Sequence, residues 1–352
     1  MIRRAFLLYT WASIRLPPLT TMNDTKQLGR YGLLRVLGRG AMGLVYEGVD
    51  PKLNRRVAIK VILTHRLDDA LRAEYSSRFT HEAQAVARLN HPNIVTVYDF
   101  GEENGVAYLV MELIEGEELS SYFDETQAFQ LEFTLEDSVR MTCELLDAVG
   151  YAHQHGIVHR DIKPANVMLS AQLRVKLTDF GVARMHDSAA QHGEAGTVVG
   201  TPSYMSPEQI AGQVAGPRSD IFAVGIILYQ FLTGEKPFRG PNLYTIQQKI
   251  MTDQPAPPST VNPFVSPAFD RVTLRALAKR PADRYSSAPA FKEDLLRALA
   301  GEPVLADAAP AVSAPARAPV RIMPAGAAAT DADAADADAT IVAGTAPPGA
   351  RR

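Results

Sequence analysis

Residues 159–166 read HRDIKPAN, and the tripeptide DFG follows at residues 179–181. Together they place two acids and one amide, Asp161, Asn166 and Asp179, at a fixed spacing. An aspartate on a loop can accept a proton from an attacking hydroxyl, while amide and carboxylate oxygens are the hard ligands that Mg²⁺ prefers beside phosphate groups. Either segment alone is explained by the frequency of Asp and Asn in turns. The two segments in this order predict a site for phosphoryl transfer.

The residues between the two segments are predicted to form a β-hairpin. The stretches 167–169 and 174–178 are rich in strand-forming residues and are separated by a short turn. A hairpin of this kind would hold the proton acceptor and the metal ligands on a rigid element.

The overall composition is that of a globular protein whose positive and negative charges nearly balance. The chain has 352 residues, of which 46% are hydrophobic and 21% charged, enough for two packed lobes and a further segment. With 36 Lys and Arg against 39 Asp and Glu, the net charge of −3 gives no reason to expect a nucleic acid partner. The single cysteine, Cys143, excludes an intramolecular disulfide and fits a reducing compartment, so we expect a cytoplasmic protein.

Two apolar stretches resemble membrane elements, but neither is predicted to be one. Residues 5–14 are followed by Arg15 without a small-residue cleavage site, which argues against a signal peptide. Met22 opens a polar run and is a candidate for the true start of the protein. Residues 221–232 are too few to cross a bilayer, which takes roughly 20 residues, and are predicted to form a buried helix. No membrane span is expected.

The pattern along the chain predicts an α+β protein with two lobes. After an N-terminal extension (1–28), residues 29–114 should form a small antiparallel β-sheet lobe with one main helix, at residues 79–89. Residues 115–302 should form a larger, mainly helical lobe. Its helices are predicted from a capping box at 134–137 to about residue 155, and at 219–233, 243–251, 268–277 and 288–299. Residues 303–352, rich in Ala, Pro and Asp, should be a disordered tail.

A glycine-rich segment at residues 38–43, GRGAMG, matches the pattern GxGxxG, which is a weak signal alone. A dinucleotide-binding fold needs a helix after the glycines, but here a strand follows, and the GK[ST] of a P-loop is absent. A glycine hairpin can instead lie over a triphosphate. Because glycine has no Cβ, its backbone N–H groups can approach the phosphate oxygens closely. The segment predicted to contact ATP comprises Leu37, Gly38, Arg39, Gly40, Ala41, Met42 and Gly43.

Other candidate ATP-binding residues follow this segment. Lys60 ends the run VAIK and is suited to the α- and β-phosphates, with Glu82 as the best candidate for its acidic anchor. The backbone of the segment containing Met111, Glu112 and Ile114 could hydrogen-bond adenine. The side chains expected to enclose the ring are Val45, Ala58 and Met168.

In this order the motifs identify a resemblance: from about residue 31 to 299, the chain resembles eukaryotic-like protein kinases, most closely the bacterial serine/threonine branch. The resemblance implies a bilobal protein kinase fold, a non-specific serine/threonine protein kinase activity, protein substrates, and ATP with Mg²⁺ or Mn²⁺. It implies that Asp161 orients or deprotonates the substrate hydroxyl, that Lys163 stabilises the transferred phosphoryl, and that Asn166 and Asp179 bind the metal. The resemblance implies roles for four further residues. Thr201 would contact the catalytic loop (residues 159–166), Glu208 would pair with Arg284, and Asp220 would hold the catalytic loop.

The resemblance also predicts regulation by phosphorylation. Arg160 places a cation where a phosphate on the activation segment, residues 182–199, could dock and order that segment. The acceptors in that segment are Ser188 and Thr197, and we expect autophosphorylation at Thr197. Bacterial relatives usually carry threonines slightly upstream, where Gly193 and Ala195 stand here.

The sequence leaves questions of partnership and activity open. Thr340 in the tail could be phosphorylated and bound by a forkhead-associated domain, or the tail could be an inert linker. A transient homodimer could serve phosphorylation of one kinase domain by another. A non-catalytic kinase-fold scaffold is the alternative function, disfavoured because Lys60, Asp161, Asn166 and Asp179 are all present. A small-molecule kinase is disfavoured by the SPE motif at residues 206–208 and the long activation segment.

Overall fold

A computed structural model describes residues 27–40, 43–63, 79–103, 105–123, 133–180 and 202–305. The chain divides into two units, Met1–Ala308 and Ala309–Arg352, and all described residues belong to the first unit. The predicted tail therefore lies outside the described residues, except for its first three positions.

The first lobe contains an antiparallel sheet, as predicted, with six strands in the described residues. Its strands are β1 (Gln27–Leu28), β2 (Tyr31–Gly40), β3 (Gly43–Asp50), β4 (Arg55–Leu63), β5 (Val97–Glu103) and β6 (Val106–Glu112), in the order β1-β2-β3-β4-β6-β5. Leu28 pairs with Tyr31 and is buried, so the sheet begins two residues before the expected boundary at residue 29.

The two faces of this sheet have different roles because successive side chains of a strand point to opposite sides. On β4, Val57, Ile59 and Val61 pack with Tyr31 and Val110 into a hydrophobic cluster on one face. Ala58 and Lys60 alternate with them and point to the other face.

Of the helix of the first lobe, α1, the structure describes residues 79–86, and residues 87–88 form a turn. It ends before the predicted residue 89 because Arg88 and Leu89 donate to the carbonyls of Ala85 and Val86, three residues back rather than four. Phe79 anchors the helix on the sheet, packing with Ile62 and Ala107.

The second lobe is mainly helical, as predicted. Its helices are α2 (Leu119–Tyr122), α3 (Leu135–Gln154), α4 (Pro207–Ile210), α5 (Pro217–Thr233), α6 (Leu243–Thr252), α7 (Pro258–Val261), α8 (Pro267–Ala276) and α9 (Ala288–Ala300). The Oγ1 of Thr134 accepts the N–H of Asp137 at 3.0 Å and caps α3, as its sequence predicted. Most of α5 is buried, so the apolar stretch 221–232 is indeed a core helix. Within the described ranges, no helix combines the length and apolarity needed to cross a membrane.

The helical lobe extends beyond the expected boundary at residue 302. Val304 is 2% exposed and belongs to the core of this lobe. The N–H of Leu305 donates to Oδ1 of Asp294 at 2.7 Å. Because the apolar side chain of Val304 is buried and the following backbone is hydrogen-bonded, the packed chain continues at least to Leu305.

A second, three-stranded sheet lies where the lobes meet. It consists of β7 (Gly116–Glu118), β8 (Val167–Ser170) and β9 (Val175–Leu177), and its β8–β9 hairpin confirms the predicted one. Leu177 donates its N–H to Asn93 and accepts the N–H of Val95, at 2.8 and 2.9 Å. These bonds fasten a segment from the first lobe to the strand that leads to Asp179.

Candidate active site

The catalytic loop brings together three residues that the sequence singled out. The Nζ of Lys163 lies 2.7 Å from Oδ2 of Asp161. The Nδ2 of Asn166 donates to the carbonyl oxygen of Asp161 at 2.7 Å and to its Oδ2 at 3.0 Å. Because the amide nitrogen of Asn166 faces Asp161, its oxygen Oδ1 points away and can serve as a ligand.

Asp220 holds the backbone of this loop, as the resemblance implied. Its carboxylate accepts the N–H groups of His159 and Arg160 at 2.9 and 2.8 Å. The Nε2 of His153 lies 2.8 Å from the same carboxylate. Asp220 is 1% exposed, so these contacts satisfy a buried charge.

His159 connects the catalytic loop with the segment that carries Asp179. Its Nδ1 accepts the N–H of Asp161 at 3.3 Å, which leaves the proton on Nε2, and Nε2 lies 2.8 Å from the carbonyl oxygen of Thr178. Its ring lies 4.6 Å from that of Phe180. The sequence placed His159 only within a motif and gave it no role of its own.

The two candidate metal ligands flank the open end of the β8–β9 hairpin: Asn166 directly precedes β8, and Asp179 follows β9 by two residues. The N–H of Thr178 donates to the carbonyl oxygen of Asn166 at 2.9 Å, which places Asp179 one residue beyond this bond. Asp179 has a φ of +66°, a left-handed conformation uncommon for residues other than glycine. Such strain is typical of functional positions.

Lys60 of the first lobe contacts Asp179 of the second lobe. Its Nζ lies 2.8 Å from Oδ1 of Asp179, and its side chain is only 9% exposed. Glu82, the predicted anchor of Lys60, lies half-buried on α1. Among the described residues, Lys60 forms its ion pair with Asp179. An ion pair between Lys60 and Glu82 stays a prediction.

The predicted adenine pocket is an apolar cluster beneath the sheet. Val45 is paired with Lys60 across β3 and β4, and Ala58 with Met111 across β4 and β6, so these side chains share one face. Val45, Ala58, Met111 and Ile114 belong to one hydrophobic cluster. Met168 lies half-buried on β8, and its contact with a nucleotide ring stays a prediction.

The glycine-rich hairpin is formed by the ends of β2 and β3, where Gly40 pairs with Gly43. Gly43 has a φ of +147°, and a Cβ there would collide with the carbonyl oxygen of Val61. A Cβ on Gly38 would meet nothing within 4 Å. Leu37 and Arg39 are exposed on β2. Ala41 and Met42 lie outside the described residues.

The side chain of Glu112 contacts Lys176 and Thr96 and does not belong to the apolar cluster of the predicted adenine pocket. Its two carboxylate oxygens lie 2.9 and 2.8 Å from Nζ of Lys176 on β9, and Oε2 accepts the N–H of Thr96 at 3.2 Å. Any contact of Glu112 with a nucleotide is therefore expected from its backbone. Lys176 is a residue that the sequence gave no role.

Glu208 and Arg284 form the predicted buried ion pair. Both carboxylate oxygens of Glu208 accept guanidinium N–H groups at 2.8 Å, and the Arg284 side chain is 0% exposed. The Arg284 guanidinium also donates to the carbonyls of Ala278, Lys279 and Arg218 at 2.7, 2.9 and 2.9 Å. Burial alone would raise the pKa of Glu208, but hydrogen bonds from Arg284 and Ser219 outweigh the effect of burial and lower the pKa to about 2.

Two threonines expected to accept a phosphate and to contact the catalytic loop, Thr197 and Thr201 respectively, lie outside the described residues.

The donor set fits a magnesium ion that is bound together with phosphates. In the ranges that the structure describes, no group of three or more His, Cys, Asp or Glu side chains is arranged to hold a metal. Asn166 and Asp179 provide one amide and one carboxylate oxygen. Mg²⁺ is usually bound by one or two carboxylates, substrate phosphates and waters, so two protein ligands are sufficient.

Comparison with known proteins agrees with this two-lobed fold. The model of the protein kinase domain matches residues 31–296, and the chain belongs to the protein kinase family. A probable serine/threonine-protein kinase of Streptomyces coelicolor is 42% identical over 294 residues, covering 82% of this chain and 43% of that protein. The serine/threonine-protein kinase PknB of Mycobacterium tuberculosis is 40% identical over 279 residues, covering 78% of this chain and 44% of that protein.

These comparisons confirm the resemblance to the bacterial serine/threonine branch. A probable serine/threonine-protein kinase PknB of Bifidobacterium longum is 37% identical over 292 residues, 80% of this chain. The chain spans less than half the length of the curated relatives named here.

Proposed function

We propose that this chain transfers the γ-phosphoryl group of ATP, bound with Mg²⁺, to serine or threonine hydroxyls of proteins. The observation that carries the proposal is a pair of contact sets beside the cleft between the two lobes. Lys60 of the sheet lobe pairs with Asp179 at 2.8 Å, and Asp161 contacts Lys163 and Asn166 of its own loop at 2.7 and 3.0 Å. Five residues from two lobes that meet in this way have the chemistry that phosphoryl transfer needs.

Asp161 is the group proposed to receive the substrate hydroxyl proton. Its side chain is 29% exposed, so a hydroxyl can approach it. The ammonium of Lys163 and the amide of Asn166 both contact Oδ2 and fix the orientation of the carboxylate. A carboxylate held in this way can act as a general base or as an orienting group.

Asn166 and Asp179 would hold Mg²⁺, and Lys60 would contact phosphate oxygens. When bound, the metal neutralises charge on the phosphates. Lys60 and Asp179 pair at 2.8 Å, which places the ammonium beside the proposed metal ligand. The glycine hairpin supports the same proposal, because the position of Gly38 leaves room above its backbone.

The adenine ring is proposed to lie against the cluster of Val45, Ala58 and Met111. The backbone between β6 and β7 lies beside this cluster. Among the contacts of the described residues, none uses the N–H of Ile114. This N–H can therefore donate to a ring nitrogen.

The regulatory part of the proposal concerns Arg160 and phosphothreonines. Arg160 has a φ of +68° and its backbone is held by Asp220, which makes it a fixed position from which to bind a phosphate on Thr197. Thr340 is proposed as a second phosphosite, for a forkhead-associated partner. Trans-phosphorylation in a transient homodimer would supply the phosphates.

A non-catalytic scaffold with a kinase fold is the alternative function. It would bind protein partners without transferring phosphate, and would not require Lys60 and Asp179 to remain paired in the cleft. The presence of the complete set of contacts favours the enzyme.

The experiment is incubation of the purified chain with γ-labelled ATP, Mg²⁺ and a general protein substrate, followed by phosphoamino acid analysis. We expect label on serine and threonine, and in the chain itself, and peptide mapping then tests Thr197 and Thr340. Lys60→Met should lose the label, whereas Lys52→Met, in the exposed turn after β3, should keep it. Binding of ATP without any transfer would favour the scaffold, and label confined to tyrosine would contradict the proposal.

A further inference from the structure

The peptide bond between Arg160 and Asp161 is held from both sides. Its N–H, from Asp161, donates to Nδ1 of His159 at 3.3 Å. Its carbonyl oxygen, from Arg160, accepts Nε2–H of Gln209 at 2.7 Å. Since Arg160 is left-handed and Asp161 is the proposed proton acceptor, these two bonds set the plane from which the catalytic side chain extends.

The orientation of the Gln209 amide is determined by its partners. Its Oε1 accepts the N–H of Ser206 at 3.1 Å and lies 3.1 Å from the hydroxyl oxygen of Ser206. The N–H of Ser206 can only donate and the carbonyl of Arg160 can only accept, so the oxygen must face Ser206 and the nitrogen Arg160. One half of this amide caps α4, and the other half reaches the catalytic loop.

Gln209 also lies on a firmly held element. Its neighbour in α4, Glu208, makes the two-bond ion pair with Arg284 and accepts the hydroxyl of Ser219 at 2.6 Å. The element α4 follows the activation segment, where the family resemblance places the binding of protein substrate. A side chain fixed at α4 that bonds the Arg160 carbonyl therefore connects the substrate-binding segment with Asp161.

We propose that Gln209 is a positioning residue for Asp161, which aligns the proposed base with the segment that receives the protein substrate. The inference rests on the proposed function. Loss of the Gln209 donor frees the carbonyl of Arg160, and the peptide plane that carries Asp161 becomes mobile. The effect falls on the transfer step and leaves the ATP pocket, in the other part of the cleft, unchanged.

The substitution Gln209→Glu separates this role from helix capping. A glutamate at this position retains the oxygen that accepts from the N–H and the hydroxyl of Ser206, as in the usual capping box, but has no N–H for Arg160. Gln209→Met removes both functions. Gln213→Glu, at an exposed position a few residues later, adds the same charge without touching the loop.

The experiment measures kcat and the KM values for ATP and protein substrate in the full chain and these three variants, with urea unfolding of each. We expect Gln209→Glu to unfold like Gln213→Glu, to lose roughly 10- to 100-fold in kcat, and to keep its KM for ATP within about twofold. Gln209→Met should lose kcat similarly and also unfold at lower urea. A Gln209→Glu variant with the kcat of the wild type would overturn the inference and leave the proposed function intact.

A second measurement keeps the inference testable if the wild-type chain transfers no phosphate, in which case the proposed function itself fails. Amide hydrogen exchange of Asp161 reports directly on the peptide bond that Gln209 holds. It should be roughly tenfold faster in Gln209→Glu than in Gln213→Glu. Equal exchange in these two variants would contradict a positioning role of Gln209.

Discussion

Glu208 shows how a single buried acid depends on its partner. Its carboxylate is 7% exposed, and without Arg284 its burial would cost several kcal/mol. The bidentate pair and the Ser219 hydroxyl instead favour the charged form, which is why its pKa falls from 4.5 to about 2. The charge state of this residue is therefore linked to the stability of the helical lobe.

The pH dependence of unfolding should reveal this link. A group whose pKa is lower in the folded than in the unfolded chain stabilises fully above its unfolded value of 4.5, and this stability is lost as the pH falls through about 2. The difference corresponds to about 3 kcal/mol. We expect Glu208→Gln to be less stable than the wild type at pH 7, and the gap between them to shrink as the pH falls from 4.5 toward 2.

Urea unfolding from pH 7 to pH 3 measures this gap. Glu293→Gln is the control, because Glu293 forms an exposed pair with Arg297 on α9 and should change stability by less than about 1 kcal/mol. A gap between wild type and Glu208→Gln that stays constant over this range would contradict the assigned role of the pair.

At the scale of elements, β9 is the strand on which the position of Asp179 depends. Glu144 on α3 accepts the N–H of Val175 at 2.8 Å and Nε–H of Arg174 at 2.7 Å. Asn93 donates from Nδ2 to the carbonyl of Val175 at 2.9 Å and to Glu144 at 3.3 Å. A buried carboxylate and an amide from the other lobe thus hold the start of β9.

Removal of this support should destabilise the protein. Glu144→Ala leaves the N–H of Val175 buried without its acceptor and removes one of the two acceptors of the Asn93 amide, and we expect a loss of about 3 kcal/mol in urea unfolding. Asp147→Ala is the matched control, on the same helix, because Asp147 forms a partly exposed pair with Lys292 at 2.7 Å. It should cost about 1 kcal/mol or less. Equal losses in the two variants would show that Glu144 does not hold β9.

The sequence predicted the helices, the strands and the hairpin before Asp179 because their signals are local. Strand alternation, the Thr134 cap and the hairpin before Asp179 depend on residues close together in the chain. Asp161, Lys163 and Asn166 lie within six positions, so their spacing alone places them together. The pairing of Glu208 with Arg284, 76 residues apart, could be predicted only from the family resemblance.

Other contacts could not be predicted because they depend on how distant elements pack. Several acids lie near the cleft, and the sequence does not determine which of them Lys60 contacts. Gln209, Glu144 and Lys176 lie in ordinary polar positions of their elements. Their roles become visible only when the Arg160 carbonyl, the start of β9 and the carboxylate of Glu112 are seen beside them.

At the scale of the whole molecule, the site exists only because two lobes meet. The sheet lobe contributes Lys60 and the apolar cluster, and the helical lobe contributes Asp161, Asn166 and Asp179. Leu177 and Asn93 join the lobes by backbone hydrogen bonds, and Lys176 with Glu112 joins them by an ion pair. We propose that this assembly performs phosphoryl transfer with Asp161 as the acceptor of the hydroxyl proton.

The most direct test is the initial rate of label transfer from γ-labelled ATP to a protein substrate by the wild-type chain and by Asp161→Asn. The asparagine preserves size and removes the basic carboxylate. We expect the rate to fall roughly 10²- to 10⁴-fold, which corresponds to about 3 to 5 kcal/mol of barrier, while Mg²⁺-dependent ATP binding persists. Equal rates in the wild type and Asp161→Asn would contradict the account.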